Sequence, residues 1–446
     1  MKLLLSAYAC DPARGSEEGS GFNWLWQTAA EGHEVWCLTT PRGRANLEQL
    51  LAERAADPVA ARIHLIYVSV SAAVEYLYRW QPGVYVNYIE WQRQAWLVAR
   101  QLDKEVDFDA VHHVTYNSLQ MATWLWRLGK PLLLGPMGGG MTAPASLRRY
   151  LPNWVKTETV RNVISNLLTT FDPNVRQSVR RASLVLAANR DTADLARRLG
   201  AKRVELAMSA ALPASYFPTA YAPREPLTGR PLRILWLARL FPRKGLLLVL
   251  EALRRVDSRV PFHLDIMGDG PLGPQVPGWI ATSGLQDRVT WHGSVPYGET
   301  RAAYLNHDVF MLCSLRDTFA NQYLEAMALG LPLLTLDLHG ATDFVPDTAG
   351  IKVPVQSADA TADALARAVE HLYDHPAELE QLGRAGFTYA AQFSLPRLIA
   401  RLHAQAAAAA PELAGLATQP TEVDAQLLTG QEHHLPGTGQ AQRVVA

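Results

Sequence analysis

SLRDTFANQYLEAMALGLPLLTLD, residues 314–337, decides how the chain is read. An apolar run, VFMLCSL, leads into it, a second, LPLLTLD, closes it, and the segment between has helical character. Strand, loop, helix and strand in that order form the repeating unit of a parallel sheet covered by helices. Within the unit Asp317 stands in the loop, and Glu325 stands eight positions on, among Leu324, Ala326, Met327 and Ala328. Asn321 is the expected N-cap of the helix. Glu325 then lies near a helix start whose free N–H groups favour anions.

Working outward, the same alternation covers almost the whole chain. KLLLSAY, EVWCLTT, IHLIYVS, AVHHVTY and PLLLGPM read as strands of a first half, and RILWLAR, FHLDIMG, VTWHGSV, VFMLCSL and LPLLTLD as those of a second. Two doubly wound α/β domains follow, with ligand expected at the strand C-termini and between the domains. The first spans 1–212, joined by a helix near 390–405, and a proline-rich linker covers 213–231. The second spans 232–389, and 406–446, rich in Ala, Gln, Gly and Thr, reads as a poorly ordered tail.

The chain has 446 residues, 48% hydrophobic and 19% charged, with 42 basic and 42 acidic residues, a globular balance that gives no argument for nucleic acid. Cys10, Cys37 and Cys313 sit in apolar runs without metal-ligand spacing and read as reduced thiols of a cytoplasmic protein. The initial MKLLLSAYACDP leads straight into a glycine-rich turn, so it reads as a buried strand and not as a signal peptide. No apolar run approaches the length of a membrane span.

Several elements suit an anion. DPARGSEEGSGFNW, with Gly15, Gly19 and Gly21, follows the first strand, but its order is neither the dinucleotide fingerprint nor a P-loop. The absent fingerprint argues against an oxidoreductase. Gly138, Gly139 and Gly140 after the fifth strand leave backbone open to a ligand. Arg239 and Lys244 follow a strand and precede an amphipathic helix; two solvated basic residues are the plainer alternative. Gly268, Gly270 and Gly293 mark further strand ends that can approach a base or ribose. A carboxylate bonds vicinal hydroxyls well. A nucleotide sugar carries such diols on ribose and hexose with a diphosphate between, which gives Glu325 and Asp317 one diol each.

Together, ACDPARGSEEGSGFNW, LWRLGKPLLLGPMGGG, ARLFPRKG, MGDGP, WHGSV and DTFANQYLEAMALGLPLLT resemble, in order, the signatures of the GT-B retaining glycosyltransferases of family 4, also called group 1. The resemblance runs to about residue 405 and implies two Rossmann-like domains facing across a cleft. It assigns Arg239 and Lys244 to the donor diphosphate and Glu325 to the ribose diol. Asp317 takes the place of a glutamate that addresses the transferred sugar. Phe319, Ala320 and Asn321 fall in the loop whose amides meet sugar and phosphate, and Gly15 falls near the donor phosphate and acceptor. A histidine at the end of a first-domain strand faces the donor sugar in that family; of His112 and His113, the latter is nearer the strand end. Asp317 is one methylene shorter than the family's glutamate, and Ala320 replaces a glycine.

The implied reaction moves a sugar from a nucleoside diphosphate to a hydroxyl acceptor with retention, without metal or cofactor. The acid run Asp107–Asp109 resembles a metal motif of another glycosyltransferase fold but reads better as a solvated turn. Residues 75–102, rich in Trp, Tyr and Arg, either pack into their own domain, line a saccharide site, or meet a membrane surface beside a lipid-linked acceptor. Peripheral contact with the inner membrane face is therefore a further expectation. Two alternatives remain: a sugar-nucleotide epimerase or hydrolase on the same fold, and a non-enzymatic nucleotide-sugar binder.

Overall fold

The structure, a computed structural model, describes residues 1–14 and 16–417. Strands β1 (Lys2–Ser6), β2 (Glu34–Thr39), β3 (Ile63–Tyr67), β4 (Ala110–His113), β5 (Leu132–Met137), β6 (Leu184–Ala187) and β7 (Val204–Leu206) form one parallel sheet. Its order is β3-β2-β1-β4-β5-β6-β7. A second parallel sheet joins β8 (Leu232–Leu237), β9 (Phe262–Met267), β10 (Val289–Trp291), β11 (Val309–Met311), β12 (Leu333–Asp337) and β13 (Gly350–Pro354), in the order β10-β9-β8-β11-β12-β13. In each sheet the order reverses beside the first strand, between β1 and β4 and again between β8 and β11. Such a reversal opens a crevice at the strand C-termini, because the flanking connections run to opposite faces.

Helices cover the sheets: α1 (Ser16–Ala30), α2 (Gln81–Val106), α3 (Val160–Phe171) and α4 (Arg190–Leu199) in the first half, α5 (Leu246–Arg254) and α6 (Asn321–Ala328) in the second, and α7 (Leu395–Ala409) near the end. Parallel strands covered on both faces must be apolar on both. On β1, Leu3 and Leu5 enter one core cluster, and Leu4, between them, enters the other. No helix among the described residues is long and apolar enough to cross a membrane. The three cysteines are free and buried.

The chain returns to its first half at the end. Leu212 bridges Ser394, Gln405 Nε2 donates to the Leu206 carbonyl at 3.1 Å, and His403 bonds Glu31. Residues 406–416, expected in a poorly ordered tail, instead extend α7 and a following short turn, in which Leu413 and Leu416 are buried. The alanine-rich composition that reads as disorder is here a helix packed through its small side chains. The rest of that tail lies outside the described residues. The linker is not free either: Arg224 donates to the carbonyls of Leu329 and Gly330 at 3.0 and 3.2 Å, and Arg230 clasps Asp308 at 2.6 Å.

Candidate active site

The switch point of the second sheet gathers charge. β8 and β11 lie side by side, so the loops leaving their C-termini meet. Lys244 ends the short turn Pro242–Lys244, and its Nζ lies 2.6 Å from Asp317 Oδ2. Arg243 Nη1 reaches the same oxygen at 3.2 Å. Lys244 is 6% exposed and the Asp317 side chain 17%. Burial pulls the ammonium of Lys244 below its ordinary pKa, and Asp317 opposes that pull. Burial likewise works against ionised Asp317, but Lys244 and Arg243 overcome it and hold the carboxyl below the usual carboxylate range. Two cations share one carboxylate, which leaves a net positive charge at the strand ends.

Arg239 is brought to the same loop but not into the cluster. Its side chain is exposed, with the guanidinium carbon 4.8 Å from the Phe241 ring centroid, and no ion pair holds it among the described residues. It is a cation open to solvent.

Helix α6 starts immediately after the charged loop. Asn321, expected as its N-cap, is the first helical residue; Ala320 holds the cap position in extended conformation and offers no side-chain bond. The opening N–H groups of α6 therefore lack a side-chain acceptor. Glu325, one turn in, is buried, and the Tyr304 hydroxyl donates to its Oε2 at 2.7 Å. Burial raises its pKa, partly offset by that bond.

Asn321 and Glu325 line a cavity of about 280 Å³ between the two halves. Opposite them stand Arg14, Gly19, Ser20, Asn23 and Trp24 from the first glycine-rich loop and α1, with Leu395, Leu398 and Ile399 of α7 closing one side. The cavity therefore brings together the first-domain loop and α6, as the sequence led one to expect. Lys244, Asp317 and Arg239 are not part of its wall. Arg14 and Asn23 were missed, although Arg14 stands inside the quoted DPARGSEEGSG run. Gly15 lies outside the described residues.

Other expectations need correction. His113 does not face the cleft: it is fully buried, beside Ser6 in the sheet register, with Nδ1 3.0 Å from Ser6 Oγ and Nε2 3.2 Å from the Tyr88 hydroxyl. A central strand covered on both faces buries either neighbour, and His112 is equally enclosed against Trp24. Burial pushes the His113 imidazole down to about 4, so it is neutral near pH 7. Gly139 is needed because a Cβ there would lie 2.3 Å from Gln120 Oε1, at a φ of +109°. Gly268, at φ +127°, sits against the Ala238 carbonyl, 2.0 Å from where its Cβ would be. At both positions the close approach is to the protein's own chain and not to a ligand. Gly270 packs against Leu240 in the same manner, whereas Gly293 has open space around it and accepts from Gly268 N–H at 2.7 Å. Phe319 is buried between Tyr323 and Phe344, and Ala320 is buried, so only their backbone is available to a ligand. Asp107 pairs with Lys130, and Asp109 accepts from the Lys2 N–H at 2.8 Å, so both acids of this turn have partners within the chain.

Ion pairs cross between the halves around this region. Arg316, beside Asp317, meets Glu158 at 3.0 Å, His339 meets Asp191 at 2.8 Å, and Arg190 meets Asp343 at 2.9 Å. Gly138 faces Thr318 across the cleft, where an added Cβ would be 2.7 Å from Thr318 Cγ2.

Residues 231–372 match the family model described as Glycosyl transferases group 1. A putative colanic acid biosynthesis glycosyltransferase, WcaL of Escherichia coli, is 31% identical over 211 residues, 45% of this chain and 51% of that protein. The chain thus spans about half the length of the curated relative it matches. Among solved structures, sucrose-phosphate synthase from Thermosynechococcus elongatus superposes with a TM-score of 0.59 at 17% identity, over 92% of this chain and 100% of that one. HepE of Anabaena, solved with UDP, gives 0.56 at 14% identity over 92% and 100%. The two parallel α/β halves are those of the GT-B fold, and the second half is similar to the group 1 glycosyl transferases.

Proposed function

We propose that the chain is a retaining, metal-independent glycosyltransferase of family 4, moving a sugar from a nucleoside diphosphate to an acceptor hydroxyl. The observation that carries this reading is the cluster of Lys244, Arg243 and Asp317 at the β8/β11 switch point, next to a helix whose Glu325 opens into the interdomain cavity. As the glycosidic bond breaks, negative charge grows on the departing diphosphate. Lys244, exposed Arg239 and the start of α6 stabilise that charge without reorganising. Glu325 accepts from the ribose diol, and Asp317, fixed by its two cations, addresses the transferred sugar. The family resemblance assigns acceptance of the acceptor's proton to the donor phosphate, so a protein base is not needed. The UDP complex of HepE favours a uridine nucleotide among donors.

Thermal-shift measurement against a panel of nucleotide sugars tests donor binding, because a ligand selective for the native state raises the melting temperature. Selective stabilisation by one donor, and turnover that survives EDTA, are the expected results. A donor consumed with no acceptor present would favour the epimerase or hydrolase alternative; binding with no turnover across donors and acceptors would favour the non-enzymatic binder.

The acceptor is proposed to be a saccharide or lipid-linked glycan at the inner membrane face, with the enzyme cytoplasmic and peripheral. WcaL's name places that relative in polysaccharide assembly. The region 75–102 divides in two: Tyr88, Trp91, Ala95 and Ala99 pack into the core, whereas Tyr76, Leu77, Trp80, Tyr85, Val86 and Ile89 are exposed. Val160, Val163, Ile164, Leu167 and Phe171 add an exposed apolar stripe along α3. Exposed Arg79 and Lys156 accompany these faces, a combination suited to an anionic lipid surface.

A further inference from the structure

A second polar cluster lies away from the donor residues, where α7 packs over the end of α1. Glu31 and His33 stand in the turn after α1, and His403 comes from α7. Each offers one ligand atom, and these atoms all lie within 4.8 Å of one another. His33 and His403 are 2% and 1% exposed, and the Glu31 side chain 7%. One contact joins them directly: His403 Nδ1 to Glu31 Oε2 at 2.6 Å. The remaining atoms are left wanting. Glu31 Oε1 and His403 Nε2 have no hydrogen-bond partner, and neither has Nδ1 of His112, whose ring centroid lies 5.8 Å from that of His403. Orphaned polar atoms in a buried place are costly, so several in one cluster point to a missing occupant.

We propose that Glu31, His33 and His403 form a structural site for a divalent transition-metal ion, zinc by the chemistry of its ligands. Two imidazoles and a carboxylate suit zinc; magnesium and calcium prefer an all-oxygen set. In a tetrahedral site with bonds of about 2.1 Å the ligand atoms stand about 3.4 Å apart, so the three side chains would have to adjust on binding. A fourth position is left for water. His33 is already oriented as a metal ligand usually is, with Nε2 3.3 Å from the Leu416 carbonyl oxygen, so that Nδ1 is the atom left to bind the ion. The other group facing Nδ1 is the Met1 amino nitrogen at 3.4 Å, which the ion would displace.

The ion would pin α7 to the first domain. Ile399 stands one turn before His403 and, with Leu395 and Leu398, lines the interdomain cavity, so the clamp fixes one cavity wall. The site takes no part in the donor chemistry and stands whether or not the proposed transfer reaction does.

The full chain, stripped by EDTA and dialysed, is to be titrated with zinc by calorimetry and with cobalt(II) by visible absorption. One equivalent of each is expected, with a cobalt spectrum of low coordination number and a melting temperature raised by zinc and not by magnesium. His33→Gln and His403→Gln should each abolish the cobalt spectrum, whereas His64→Gln, at a half-buried histidine on β3, should keep it. Failure of the unmodified protein to bind zinc or cobalt overturns the proposal, and this arm needs no variant to fold. Undiminished binding in Glu31→Gln, His33→Gln and His403→Gln together overturns it equally.

Discussion

Lys244 Nζ and Asp317 Oδ2 stand 2.6 Å apart at the meeting point of two strand ends, in a site from which water is mostly excluded. The pair couples the residue assigned to the diphosphate with the residue assigned to the sugar, so neither can be altered without the other responding. On the proposed reading Lys244→Ala removes a donor aimed at developing charge and is expected to lower kcat by about 10²–10³-fold. Asp317 keeps Arg243, so the fold should survive, as circular dichroism would report. Rates near those of the unmodified enzyme would remove Lys244 from the site.

Asp317→Glu is expected to change donor preference. The carboxylate of Asp317 is held by two cations, and one more methylene must either push it past them into the cleft or displace Lys244. Initial rates across a donor panel distinguish the outcomes. An unchanged donor profile would mean that this position does not read the sugar.

The fold was largely legible because parallel strands buried on both faces leave continuous apolar runs, and ten of these were visible. The strands at 184–187, 204–206 and 350–354 were not among them; of these β7 is both short and half-buried, so it carries little signal. The charged loop at 314–320 and the place of Glu325 on the following helix were legible because loop and helix are contiguous in sequence. What stayed hidden depends on partners far along the chain. Nothing near His113 says that Tyr88 and Ser6 enclose it, and nothing near Gly139 says that Gln120 presses on it. Pairing of Arg316 with Glu158, 158 residues away, is invisible to any local pattern.

Glu325→Gln separates stability from binding. Burial raises the Glu325 pKa in the folded state. Its stabilising contribution is therefore complete below the ordinary carboxylate range, about 4.3, and is lost as pH rises through the raised value. The glutamine variant lacks that slope. Its melting temperature should gain on the unmodified protein as pH rises above the ordinary carboxylate range, while donor binding and turnover fall sharply. A gap that stays constant with pH would show that Glu325 does not titrate differently on folding.

The exposed apolar faces predict lipid binding. Full-length protein should float with vesicles containing phosphatidylglycerol and less with phosphatidylcholine alone, since Arg79 and Lys156 add attraction to anionic headgroups. Ile164→Glu with Leu167→Glu should abolish flotation and leave transfer to a soluble acceptor intact. Equal flotation of that variant would exclude α3 as the contact.

Closure of the two halves should depend on Arg316. Its guanidinium holds Glu158, whose side chain is 1% exposed, at 3.0 Å across the cleft. Burial and Arg316 depress the pKa of Arg161, which also attracts Glu158, but its hydrogen bonds go to the Met141 carbonyl at 3.2 Å and to Asn162. Arg316→Met therefore leaves a buried carboxylate short of its cation, a penalty of about 3–5 kcal/mol when one partner of a buried pair is removed. An open arrangement relieves most of that penalty by returning Glu158 to water, so the equilibrium between the halves should move toward opening. Small-angle scattering should then show a larger radius of gyration for Arg316→Met. The double variant with Glu158→Leu, which removes the stranded charge, should recover much of the compactness. A lower transfer rate should accompany opening, because the start of α6 would no longer face Arg14 and α1 across the cavity. Identical scattering for all three proteins would mean that the pair rides on the closed form without holding it.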